Sequence, residues 1–132
     1  MQKLSIILFV AIVLIGCQSN ESRPSGTQVE PLEYSIAETN DVSYAGTPRL
    51  VYRITLNVND IPDQPRMRKT AVDIWQDGNK KWSEFTVFMY LPEMNTNDLA
   101  YVVAEFSPSG MKEFRVLKEA LYFTKWQEKK SK

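Results

Sequence analysis

Phe85-Thr86-Val87-Phe88-Met89-Tyr90-Leu91, closed by Pro92, is the stretch on which the fold turns. It is apolar on both faces of a two-residue repeat, as in a strand covered from both sides, so it reads as the central strand of a sheet. Pro92 has no amide hydrogen for a sheet ladder and ends it. The same stretch is the chain's worst aggregation hazard, and Glu84 and Glu93 bracket it as charged gatekeepers.

Upstream, Leu50, Tyr52, Ile54, Leu56 and Val58 alternate with Val51, Arg53, Thr55 and Asn57, the period of a half-buried strand. Asn59-Asp60 stops that strand, and Pro62 or Pro65 suits the first turn of a helix, where an amide hydrogen is not needed. Met67, Ala71, Ile74 and Trp75 then form one apolar stripe, with Arg66, Lys69, Asp73 and Gln76 on the other side. Gly78 reads as the residue just past the helix end, with Lys80 and Lys81 where the helix dipole favours cations. Downstream, Ala100 to Phe106 is the next strand, Ser107-Pro108-Ser109-Gly110 a turn, and Glu113 to Val116 a segment able to pair again. Tyr34 to Ala37 is a candidate first strand, and Glu38 to Pro48 is rich in turn formers. Residues 117–126 mix strand and helix signals.

The expected fold is α+β: a small two-layer domain with one main helix on a mostly antiparallel sheet of about four strands, in the order strand, helix, strand, strand. That order implies a crossover followed by an antiparallel hairpin. One helix covers one face of such a sheet. The other face is then solvated, covered by the C-terminal segment, or used. The domain is expected over residues 34–126, with 127–132 a basic tail.

The N-terminus reads differently. Met1-Gln2-Lys3 carries one positive charge, Leu4 to Ile15 is apolar apart from Ser5, and Gly16-Cys17 follows. At about 1.5 Å per helical residue the apolar run is too short for a ~30 Å hydrocarbon core. A positive start, a short apolar run and a small residue before the break describe a secretory signal over residues 1–16. Cys17 is the sole cysteine, so it has no intramolecular disulfide partner. Leu14-Ile15-Gly16-Cys17 resembles the lipobox of bacterial lipoproteins. The resemblance implies cleavage between Gly16 and Cys17, diacylglyceryl transfer to the Cys17 sulfur, and acylation of the new amine. An ordinary signal peptide with an incidental cysteine is the alternative. Several acyl chains on one residue would hold the protein stably, because each buried CH₂ contributes about 0.8 kcal/mol. Gln18 after the cysteine, rather than Asp, implies by the same resemblance an outer membrane facing the periplasm if the cell is Gram-negative. Residues 17–33, polar and interrupted by Pro24, Gly26 and Pro31, are expected to be a tether with a reach of about 20–25 Å.

Composition narrows the chemistry. Without residues 1–16 the chain keeps fifteen basic and sixteen acidic side chains, so it carries no field suited to nucleic acid. Lys125, Lys129, Lys130 and Lys132 make the tail locally basic, a solvated terminus or a contact for anionic head groups or wall polymer. Histidine is absent, which removes Ser-His, Cys-His and His-metal constellations together. No cofactor is expected, and no phosphate loop or nucleophile elbow is present.

The stretch Ile74 to Trp82, then Glu84 to Pro92, then Ala100 to Phe106 is similar to a domain of small, uncharacterised bacterial lipoproteins. That resemblance spans residues 34–126, implies the α+β architecture and transfers no functional residue. Among the aromatic side chains, most are expected in the core. Trp82, Tyr90, Tyr101 and Trp126 are the candidates for an exposed surface gripping an envelope protein, peptide or glycan. The loop Pro92 to Asp98 is long for a hairpin, and its Asn95, Asn97 and Asp98 match no EF-hand. Asp73 and Asp77 share a helix face without a third ligand. The leading expectation is a lipid-anchored, non-enzymatic envelope module of unassigned oligomeric state. The alternative is a small hydrolase using two carboxylates on wall glycan or peptide.

Overall fold

The computed structural model describes residues 28–78 and 82–127. Five strands form one sheet in the order in which they occur in the chain: β1 (Tyr34–Asp41), β2 (Arg49–Leu56), β3 (Glu84–Tyr90), β4 (Val102–Ser107) and β5 (Gly110–Val116). The helix α1 (Gln64–Asp77) connects β2 to β3, which pair in parallel, and every other neighbouring pair is antiparallel. The α+β class therefore holds, with five strands rather than about four, and two strands rather than one before the helix. β1 runs through Asp41 because its polar half, Glu38 to Asp41, sits on the sheet edge, where no alternation is required. The connection from β1 to β2 closes on a two-residue turn between the bridged pair Tyr44 and Thr47. Ala45 and Gly46 both have positive φ (51° and 78°), the twist that favours hairpin closure.

Helix α1 begins where Asp63 accepts a hydrogen bond from the Arg66 amide at 3.0 Å, with Pro65 in the first turn. Its buried side chains are Met67, Thr70, Ala71 and Ile74, and Trp75 stacks on Phe106 at 5.3 Å. Gly78 does not adopt the left-handed conformation expected of a helix-terminating glycine; its φ is −69°. Space explains the residue instead. A Cβ at Gly78 would come within 3.0 Å of the Phe85 ring and 3.2 Å of the Ile74 carbonyl oxygen. Lys80 and Lys81 lie outside the described residues.

The core lies between α1 and one sheet face. Leu50, Ile54 and Leu56 from β2, Phe85, Val87 and Met89 from β3, and Val102, Ala104 and Phe106 from β4 point into it. Each such large side chain contributes about 1.5–3 kcal/mol on burial. The segment 117–126, ambiguous by sequence, is a short 3₁₀ turn (Lys118–Leu121) followed by further turns, and it closes this same core with Leu121 and Trp126. Leu32 also belongs to the core. The domain thus begins before residue 34, and the tether expected over 17–33 is shorter by its last few residues. Among the described residues, the stretch from Leu32 to Trp126 supplies this core and the five strands.

The opposite sheet face is polar. Arg49 pairs with Glu84 at 2.8 Å, Arg53 with Glu38 at 3.4 Å, and Arg115 with Glu113 at 3.1 Å and Glu105 at 3.8 Å. The C-terminal segment sends Leu121 and Trp126 to the main core and reaches this side with Leu117. The loop after β3 covers one end, where Tyr90, Ala100 and Val103 form a second, small cluster with Phe88, Met94 and Leu117.

Candidate functional site

Strand direction gathers several segments at one pole. The register pairs Tyr34 with Leu56, Thr55 with Tyr90, Met89 with Val102, and Val102 with Val116. The start of β1, the ends of β2, β3 and β5 and the start of β4 therefore share one end of the sheet. So do the incoming chain before β1, the loop from Pro92 to Leu99 and the C-terminal segment.

Arg53 fixes the loop. Its guanidinium lies over the Phe88 ring at 4.9 Å and donates to the Tyr90 hydroxyl at 2.5 Å and to the Thr96 carbonyl at 3.1 Å. The Tyr90 hydroxyl in turn donates to the Asp98 carbonyl at 3.2 Å. Burial raises the Tyr90 pKa, with Arg53 opposing the shift, and burial also raises that of Tyr101. Within the loop, Asn95 accepts from the amides of Asn97 and Asp98, so its oxygens are engaged in a turn. Among the described residues no group of three or more His, Cys, Asp or Glu could hold a metal ion. Asp73 pairs with Lys69 along the helix.

The C-terminal segment is clamped to this loop. Trp126 donates through Nε1 to the Pro92 carbonyl at 3.0 Å, and Lys125 pairs with Glu93 at 2.6 Å. Two residues in this junction hold left-handed backbone conformations that side chains disfavour: Glu93, with φ 68°, and Phe123, with φ 64°. Between the two segments lies a groove of about 400 Å³ lined in part by Met94, Leu99, Tyr122 and Phe123, with Asp98 and Glu119 beside them. Phe123 is fully exposed, and Tyr122 and Leu99 are each about half exposed (53% and 49%). A strained turn presenting an aromatic ring to water costs about 1–2 kcal/mol without any return in burial. Binding is the chemistry that such a surface offers.

The four aromatic candidates do not form that surface. Tyr90, Tyr101 and Trp126 are 0%, 5% and 1% exposed, so their rings pack inside the domain and have no face left to grip a partner. Trp82 is half-buried against the core. Gly16 and Cys17 lie outside the described residues. Leu99, Tyr122 and Phe123 are exposed apolar residues at this junction, while Tyr34, Ile36, Val42 and Tyr44 are exposed along β1 and the turn after it. The available sequence signal was Tyr122-Phe123 within a segment of no clear period, and Leu99 carried none.

No family model matches the chain, and no curated protein or solved structure matches it either.

Proposed function

We propose that this chain is a bacterial envelope lipoprotein, attached to a membrane through lipid on Cys17, whose domain is a non-enzymatic binding module. The attachment rests on Leu14-Ile15-Gly16-Cys17 closing a short apolar run behind Lys3. The binding role rests on one observation, the apolar surface of Leu99, Tyr122 and Phe123 at the junction of two clamped segments.

The carboxylate-hydrolase alternative draws less support. Glu38, Glu84, Glu105 and Glu113 are each engaged with an arginine on the open sheet face, rather than set as a free pair across a cleft. Labelled fatty acid fed to cells is expected to enter the wild-type chain and not the Cys17→Ser variant. Label in the variant refutes Cys17 as the attachment site. Crosslinking in intact cells is expected to recover a repeatable envelope partner that is lost in Phe123→Ser; recovery of the monomer alone, under several crosslinking chemistries, counts against a binding module.

A further inference from the structure

The groove between the loop and the C-terminal segment continues past the Phe123 ring. A second hollow of about 340 Å³ lies against the first, and Met94, Asn95, Asp98, Phe123 and Thr124 line both. Together they form one open trough, with the exposed Phe123 ring shared by its two halves. A small ligand needs a pocket that closes over most of its surface, and this trough does not close. It suits an extended segment of chain, which lays alternate side chains into the two halves.

The charge of the lining sets what such a segment carries. Glu93 and Lys125 line the second half and pair with each other at 2.6 Å, with the Lys125 ammonium also 5.2 Å from the centre of the Trp126 ring, so neither is left over. Asp98 lines both halves and Glu119 the first. Neither of these carboxylates has a cationic partner among the described residues. Lys118, the neighbour of Glu119, is not part of the lining. Farther round the pole Glu30 and Glu33 add negative charge, opposed by Arg66.

Carboxylates beside exposed rings draw a cation and repel an anion. The carboxylates act through charge, and the ring faces of Tyr122 and Phe123 through their electrons. The apolar part of the same surface, with Leu99 and Met94, calls for an apolar side chain next to that cation. The side-chain nitrogen of Asn95, whose side-chain oxygen accepts from the Asn97 amide, is left to donate to a backbone carbonyl of the segment. We infer that the trough takes an extended segment of another protein in which a lysine or arginine stands next to an apolar side chain. The cationic group faces Asp98 and Glu119, and the apolar side chain lies against Phe123 and Leu99. The inference rests on the proposed reading of this junction as a binding surface and adds to it the chemistry of the partner.

The probe is a displayed library of random peptides, selected on the immobilised full-length chain and counter-selected on the Phe123→Ser variant. Enriched peptides are expected to carry lysine and arginine over aspartate and glutamate by about threefold or more, next to leucine or an aromatic residue. For one such peptide followed by fluorescence anisotropy, Asp98→Asn together with Glu119→Gln should weaken binding by about threefold or more, the loss of two ion pairs at a solvated rim. Both side chains are exposed, so the double variant keeps the fold. Enriched peptides that are neutral or acidic overturn the cationic assignment and leave the binding surface standing. Basic peptides that bind the double variant as tightly as the wild type overturn the role of the two carboxylates. Enrichment that appears only once residues 129–132 are deleted overturns the external partner in favour of the chain's own basic tail. A failure to enrich any peptide, with a dimer that Phe123→Ser disperses, overturns it in favour of a second copy of the chain. The same failure without a dimer overturns the inference together with the reading of the junction beneath it.

Discussion

Replacing Trp126 with alanine tests whether the C-terminal segment is a structural member of the domain or an appendage. The indole is 1% exposed within the main core cluster, and its Nε1 is bonded to the Pro92 carbonyl at 3.0 Å. Removing a buried tryptophan costs about 3–5 kcal/mol through lost transfer energy and the cavity left behind. Stranding the Pro92 carbonyl pushes the cost toward the upper end of that range. A domain of this size has a total stability of about 5–15 kcal/mol, so the variant should sit near the edge of folding. In urea, followed by far-ultraviolet circular dichroism, a slope of about 1.5 kcal/mol/M turns this cost into a midpoint lower by about 2–3 M. Trp126→Phe keeps most of the volume and loses the hydrogen bond, so its cost should be about 1–2 kcal/mol. A midpoint shift below about 0.5 M in the alanine variant would refute the placement of Trp126 in the core and return its ring to the surface.

Phe123→Gly should leave stability unchanged or raise it by up to about 1 kcal/mol. It relieves a left-handed conformation, removes no buried surface, and is opposed by the extra freedom glycine gives the unfolded chain; a loss above 1 kcal/mol on denaturation would contradict this. Thr70→Val removes the acceptor for the Leu32 amide and should cost about 1–2 kcal/mol, with faster hydrogen exchange at Leu32 as the local signature. Tyr90 and Tyr101 have raised pKa values through burial, so the unfolded chain releases their protons first as pH climbs. Stability is therefore full below about pH 10 and falls as pH rises above it; Tyr101→Phe should flatten the fall, and a stability that rises above pH 10 would sink the argument. Gly78→Ala should destabilise by about 1–3 kcal/mol through contact with the Phe85 ring, read by thermal melting; a neutral effect would mean that the ring yields.

Elements with a strong period were legible without coordinates. The alternation from Leu50 onward, the stripe Met67, Ala71, Ile74 and the two-sided run from Phe85 all occupy the expected elements. Elements whose status depends on a neighbour were not. Glu38 to Asp41 is strand because β2 offers hydrogen bonds to it, and its own side chains give no hint. Thr70 is buried because its hydroxyl meets the Leu32 amide, thirty-eight residues away in sequence. Leu121 and Trp126 are core because a short 3₁₀ turn aims them there, and three-residue periodicity over four residues is too brief to detect. The candidate site suffered most, since aromatic identity cannot separate the rings that fill a core from the one left outside it. Trp126 and Phe123 stand three residues apart with opposite fates.

The seating of Leu32 bears on how the protein carries load. Any pull on the chain that precedes the domain reaches it at Glu30. Before β1 can be unzipped from β2, that pull must extract Leu32 from the core, break its amide's bond to Thr70 and release Arg66 Nε from the Glu30 carbonyl. The first strain thus falls on the helix and not on the exposed edge strand. A sheet of this kind is weakest when peeled from one end, and a strain relief ahead of the first strand lets the incoming chain be jerked without starting the peel.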